Sequence, residues 1–226
     1  GNTIPDFSRV GYHHGDKSIP DYPVTKTVYP VEKGDSRQRI QDAIDEVSRM
    51  KPDKNGYRGT VLLKRGVYHV HGTIHINTGG VILTGEGDNV NETRLLAIGK
   101  QRFSLIEVSG NGRMEEVSGT RVKITDAFVP VGTHSFQVSS ATNFKVGDRI
   151  IVYRPGTENW IHDIKMDQIV ERQGTRQWTA REYNLSFERE IVKVEGNRIY
   201  IDNPVVMQME EKYGGGEVFK YTFDGR

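Results

Sequence analysis

The chain has 226 residues with 35% hydrophobic and 27% charged content, enough for one or two globular domains with a buried core. Lys and Arg total 31 against 30 Asp and Glu, so the net charge of +1 supplies no overall field for recruiting nucleic acid or an acidic membrane. Zero cysteines excludes disulfides, thiol nucleophiles and thiolate metal sites, and no apolar run approaches the roughly 20 residues that span a bilayer.

Residues 1–27 place Phe7, Tyr12 and Tyr22 between Pro5, Gly11, Gly15, Pro20 and Pro23, a texture that predicts an extended arm packed on a neighbour. His13 and His14 are adjacent, and on an extended backbone they point to opposite sides. A helix follows, where Ile40, Ala43, Ile44 and Val47 fall at i, i+3, i+4 and i+7 and make one apolar stripe. Asp35 is placed to accept from the first-turn N–H groups, with Gln38 reaching back as in a capping box. Pro52, Asn55 and Gly56 end the helix and open a loop.

Short β-rich runs come next, punctuated by Gly or Asn: Gly59-Thr60-Val61-Leu62-Leu63, Gly66-Val67-Tyr68-His69-Val70, Thr73-Ile74-His75-Ile76 and Gly80-Val81-Ile82-Leu83-Thr84-Gly85. Arg94-Leu95-Leu96-Ala97-Ile98 and Phe103-Ser104-Leu105-Ile106-Glu107-Val108 continue the series. Val61 to Val81 is 20 residues and Val81 to Leu105 is 24, the near-equal return of a chain coiling so that short strands stack on those of the previous turn.

The Gly-Asp-rich start, the Ile-Gln-x-Ala-Ile helix, Gly-Thr-Val-Leu-Leu-x-x-Gly-Val-Tyr-x-Val and Ile-Leu-x-Gly-Glu-Gly together resemble the N-terminal end of the pectate-lyase-like superfamily. Its members are right-handed parallel β-helices and include polysaccharide lyases, hydrolases and phage tailspikes. The resemblance covers roughly residues 28–110 and implies that the helix caps the open end of the coil. It implies no reaction type, because enzymes and non-catalytic binders share this opening.

After Gly110-Asn111-Gly112 the texture changes to longer alternating strands, among them Ser135–Val138, Asp148–Tyr153, Glu190–Val194 and Arg198–Ile201, with Glu195-Gly196-Asn197 as a tight turn. Asn143-Phe144-Lys145-Val146-Gly147-Asp148 resembles the start of a small β-barrel. The expected fold class is therefore all-β dominated: a right-handed parallel β-helix start with an N-terminal capping α-helix and an inserted small antiparallel β-barrel-like domain. The expected divisions are an arm over 1–27, the helix and first rungs over 28–112, the insert over 113–212, and a return strand to the solenoid over 213–226. About three rungs are near the minimum that a stacked core needs. The chain is accordingly expected to be the N-terminal piece of a longer protein, with remaining C-terminal rungs as its partner.

Both tryptophans lie in one polar segment over 157–189. Trp160, His162, Asp163, Trp178, Arg181 and Tyr183 combine indole faces that stack on sugar C–H surfaces with groups that hydrogen-bond hydroxyls or pair with uronate carboxylates. The competing reading makes the same aromatics loop-anchoring contacts. His69, His71 and His75 have even spacing, but Gly72 breaks the run and no carboxylate lies close by in sequence, so no metal site is assigned. No cofactor is evident; Ca²⁺ in the parent protein would suit the oxygens of Asp88-Asn89-Val90-Asn91-Glu92, which turn formation also explains.

Catalytic residues stay unassigned, because the Arg-x-Pro-x-x-Arg run of pectate lyases and the paired aspartates of polygalacturonases are absent. The resemblance implies an exported carbohydrate-active protein, secreted, periplasmic or on a bacterial cell surface. It would be a polysaccharide lyase or glycoside hydrolase acting on an acidic or plant or algal polysaccharide. The alternative is a non-catalytic glycan-binding or tailspike-like structural protein. Polysaccharide is the expected partner in both readings, with no nucleic acid and no membrane span.

Overall fold

The computed structural model describes residues 1–8 and 10–224 of an all-β chain with few helices. Two compact units divide it. One joins Gly1–Ser18 to Met114–Phe223, and the other joins Ile19–Arg113 to Asp224.

In the second unit, every strand pairing is parallel. Strand β1 (Val24–Val28) pairs with β2 (Gly59–Leu63), and β2 pairs with β5 (Val81–Gly85). Strand β3 (Gly66–Val70) pairs with β6 (Thr93–Ala97), and β4 (Ile74–Ile76) with β7 (Ile106–Val108). Each strand therefore lies beside one reached a turn of chain later, with Gly59 opposite Val81 and Gly66 opposite Thr93. The Gly-bounded runs stop after three to five residues, so each sheet is narrow. The strand β1 begins inside the segment expected to be an arm, because its Val-Thr-Lys-Thr-Val run finds β2 as a partner.

Helix α1 (Arg37–Ser48) buries Ile40, Ala43, Ile44 and Val47, the predicted stripe, against Val61, Leu63, Tyr68, Val70, Ile74 and Ile76. Its start differs from the expected capping box. Ser36 is the N-cap and makes no side-chain cap bond, while Asp35 Oδ1 accepts from Arg37 N at 2.8 Å and from His71 N at 3.2 Å. Gln38 reaches forward to Asp42 rather than back. Gln41 binds the backbone of β4 on its unpaired side, its Oε1 accepting from His75 N at 2.8 Å and its Nε2 donating to His75 O at 3.0 Å. The helix thus satisfies backbone groups that a strand would otherwise pair. Tyr68 is fully buried, with its hydroxyl 2.9 Å from Val28 O and 2.8 Å from Lys64 O, and burial pushes the phenol up to about 12.

The other unit is antiparallel throughout. It contains β8 (Met114–Glu116), β9 (Val122–Lys123), β10 (Phe128–Val129), β11 (Ser135–Gln137), β12 (Arg149–Arg154), β13 (Leu185–Glu195), β14 (Arg198–Ile201), β15 (Met209–Glu210) and β16 (Glu217–Phe223). The order is β11-β14-β13-β12-β16-β8, with β9 also on β16 and a separate β10–β15 pair. Past the end of β9, Ile124 bridges Val138, with Thr125 N donating to Gln137 O and Ser139 N to Lys123 O, both at 2.9 Å. Phe136, Ile150, Ile191, Ile199 and Val218 are at the centre of the enclosed core.

Strand β16 corrects an expectation. Residues 217–223 do not return to the parallel coils but pair with β12, β9 and β8. Val218 fills the core beside Ile150 and Val152, whereas Phe219 and Tyr221 form a second cluster with Ile151. The arm is tied to the same unit, Thr3 N donating to Val131 O at 3.0 Å and Asn2 Oδ1 accepting from Val131 N at 2.8 Å.

Candidate functional site

Strand β12 ends at Arg154, and Pro155-Gly156 turns the chain into helix α2 (Glu158–Asp163). Thr157 is the N-cap, its hydroxyl accepting from Trp160 N. The helix is one and a half turns long and inserts Ile161 into the interior. The polar stretch after it folds on itself: Met166 O accepts from Trp178 N at 2.9 Å, and Gln177 exchanges two bonds with the backbone of Ile169 at 2.8 and 2.7 Å. Arg181 N then donates to Gly156 O at 2.8 Å and brings the far end of the loop back to its start.

This folding gathers four planar groups. The Trp178 and Tyr183 rings stack 3.6 Å apart and 15° from parallel, and Trp160 meets Trp178 at 6.1 Å and 46°. Under Trp160, the Arg154 guanidinium lies 4.5 Å from the ring centroid. Arg154 is only 3% exposed, forms no ion pair with a described residue, and donates from Nε to Gln208 O at 3.1 Å. Its Nη1 is buried without a partner, and burial draws its pKa down. Trp160, Trp178 and Tyr183 remain half-buried.

Of the six residues expected at the site, the structure brings Trp160, Trp178 and Tyr183 into one row and puts Arg181 in an adjoining cleft. His162 and Asp163 are engaged elsewhere. His162 Nδ1 lies 2.8 Å from Asp167 Oδ2, and Asp163 Oδ2 accepts from Tyr213 at 2.7 Å. The Asp167 carboxylate raises the His162 pKa, and the imidazole lowers that of Asp167. The favourable interaction is complete below the ordinary imidazole value and is lost as pH rises through the raised one. Proton NMR titration is therefore expected to find the His162 midpoint above 6.5, and Asp167→Asn should move it down.

The cleft has a volume of about 700 Å³ and is lined by Arg121, Tyr153, Glu158, Asn159, Arg181 and Asn184, among others. This is within the size range of small-ligand sites. Sequence reasoning missed Arg154, Arg121 and the two asparagines. Arg154-Pro155-Gly156 was the available signal, since an arginine closing an apolar strand just before a Pro-Gly turn is poorly placed to reach water. His69 lies in β3 and His75 in β4, which belong to different sheets, and among the described residues no three His, Asp or Glu side chains group closely enough to hold a metal ion. No helix is long and apolar enough to cross a membrane among the described residues.

No family model matches the chain, and no curated protein matches it. Solved structures similar to it include three phage tailspikes. The Gp54 tailspike of Acinetobacter baumannii bacteriophage AP22, solved with A. baumannii capsular saccharide, aligns over 85% of this chain and 25% of its own, at 11% identity and a TM-score of 0.34. The tailspike gp49 of Pseudomonas phage LKA1 aligns over 81% and 24%, at 18% identity and 0.35. The tailspike gp61 of Pseudomonas phage phi297 aligns over 81% and 24%, at 16% identity and 0.29. The chain spans about a quarter of the length of these proteins.

Proposed function

We propose that this chain is the N-terminal part of a right-handed parallel β-helix protein in which the 114–223 unit recognises a glycan as a binding module. The parallel pairings of β1, β2 and β5, β3 and β6, and β4 and β7, together with the pectate-lyase-like motifs, support the solenoid. The bonds that join the 123–125 segment to residues 137–139 support a small barrel for the insert. An exported or cell-surface setting goes with this reading.

The observation that carries the functional part is the half-buried row of Trp160, Trp178 and Tyr183 beside a cleft lined with amides, carboxylates and guanidinium groups. An apolar ring face next to hydrogen-bonding groups is what a sugar presents its own two kinds of surface to. Binding is the reading argued for this unit because the aromatic row and the cleft supply stacking and hydrogen-bonding surface side by side.

A glycan array with wild type, Trp160→Ala and Trp178→Ala tests the reading. Truncation of a buried aromatic anchor typically costs about 2 kcal/mol or more, so each variant should bind its best glycan roughly 30-fold more weakly. Variants that keep wild-type affinity would remove the row from the site.

A further inference from the structure

Burial draws two arginines of the 114–223 unit out of water, and the chain uses them differently. Arg189 ties backbone together. Its two terminal nitrogens donate to Glu188 O and Pro204 O, both at 2.7 Å, and the Phe187 ring lies 5.6 Å off. Arg154 is 3% exposed and donates from Nε to Gln208 O at 3.1 Å, while its Nη1 has no acceptor. The carboxylate whose field reaches it, Glu210, is taken up by Gln208 at 2.7 Å and Lys212 at 3.6 Å. A guanidinium stays charged, and a desolvated one with an unfilled N–H carries a penalty that an aromatic face offsets. The Trp160 ring, 4.5 Å away, is that face.

Trp160 depends on the contact in turn. Helix α2 is fixed by the Thr157 hydroxyl, which donates to Tyr213 O at 3.0 Å, and by Ile161 in the interior. Neither stops the Trp160 ring from rotating about its own side-chain bonds, and its indole N–H makes no hydrogen bond with a described residue. The ring contacts are Arg154 and Trp178, the latter tilted by 46° at 6.1 Å. Arg154 is the anchored one of the two. It closes β12 opposite Leu185, and the Gln208 that accepts from it has its own amide held by Asn2 at 2.6 Å and by Glu210.

We propose that Arg154 is a positioning residue for the aromatic row: it touches no ligand, and its buried charge fixes the plane of the Trp160 ring. The effect on binding rests on the glycan-recognition reading above. The effect on the ring does not, and the two are measured separately.

The chain has two tryptophans, so fluorine NMR of the full chain labelled with fluorotryptophan gives one resonance for each. Arg154→Met keeps the length of the side chain and removes the charge. It should move the Trp160 resonance toward its position in the unfolded chain and weaken binding of the best array glycan roughly 10-fold, the factor that a desolvated cation–π contact corresponds to. Arg154→Lys keeps a cation and should restore part of both, and Arg154→Gln replaces the methionine variant should that one fail to fold. In a Trp160→Ala background Arg154→Met should cost no further affinity, because the arginine acts through that ring. A Trp160 resonance that stays in place in Arg154→Met, or moves as far in Arg154→Lys, would overturn the role of the charge and leave glycan recognition standing. Additive losses in the double variant would overturn the action through Trp160. Wild type that binds no array glycan would bring down the binding reading, with the resonance still deciding for or against Arg154.

Discussion

Phe136→Ala is expected to lower the stability of the 114–223 unit by about 3–5 kcal/mol, the range for removing a fully buried aromatic side chain from a packed core. Phe136 has no exposed surface and shares its core cluster with Val138, Ile150, Ile199, Ile201 and Val218, which come from β12, β14, β16 and the bridge just past β11. Those strands are held in register by their ladders, so the surroundings cannot collapse into the space the ring leaves. A unit of roughly 130 residues loses about 3–5 °C of melting temperature per kcal/mol, giving a fall of roughly 10–20 °C. The core around Tyr68 and Ile40 contains none of these residues. Scanning calorimetry should accordingly show one transition moving and the other staying, and hydrogen exchange should locate the loss in β11 to β14. A common shift of both transitions would contradict the separation of the two cores.

Gly80→Ala should be the most damaging glycine substitution in the parallel coils, by about 2–4 kcal/mol. Gly80 has φ at +82°, and a Cβ there would lie 2.0 Å from Gly56 O, 3.0 Å from Tyr57 Cα and 3.1 Å from Arg58 N. All three are backbone atoms, which cannot swing aside as a side-chain end would. Gly80 O meanwhile accepts from Arg58 N at 2.7 Å and from Gly59 N at 3.3 Å, so relief of the clash breaks the bonds that set Gly59 opposite Val81. Gly34→Ala is the control. Its φ is +97°, but a Cβ there meets nothing within 4 Å, so it should cost only the backbone strain of about 1 kcal/mol. Urea unfolding of both variants separates the two contributions, and equal losses would show that the close approach at Gly80 is absent in solution.

Local pattern made much of the coil legible. The glycines that open Gly59–Leu63 and Gly66–Val70 and an apolar stripe at Ile40, Ala43, Ile44 and Val47 are read within a window of a dozen residues, and both correspond to observed elements. What could not be read was pairing over long separations. The alternation of Glu217–Phe223 predicts a strand, but nothing in it says that the partners are β12 and β8 rather than the coil. Val24–Val28 was hidden for the same reason, its partner β2 lying past a helix and a loop. At the site, the aromatic residues were recognisable by type. The roles of His162 and Asp163 depended on a short helix within a polar stretch, whose turn sends them to Asp167 and Tyr213. What compensates the Arg154 charge could not be read, because it is a ring six residues later.

Strands β8 and β16 run side by side, with Met114 opposite Phe223 and Glu116 opposite Tyr221, and Arg113 N donates to Asp224 Oδ1 at 3.0 Å. The antiparallel unit is therefore entered and left at two points within a hydrogen bond's reach of each other. A detour anchored in this way imposes no length on what lies between its two feet. Over evolutionary time a segment of 110 residues closed at its base in this way can be exchanged for another of different size while the spacing of the two points that bound it stays the same.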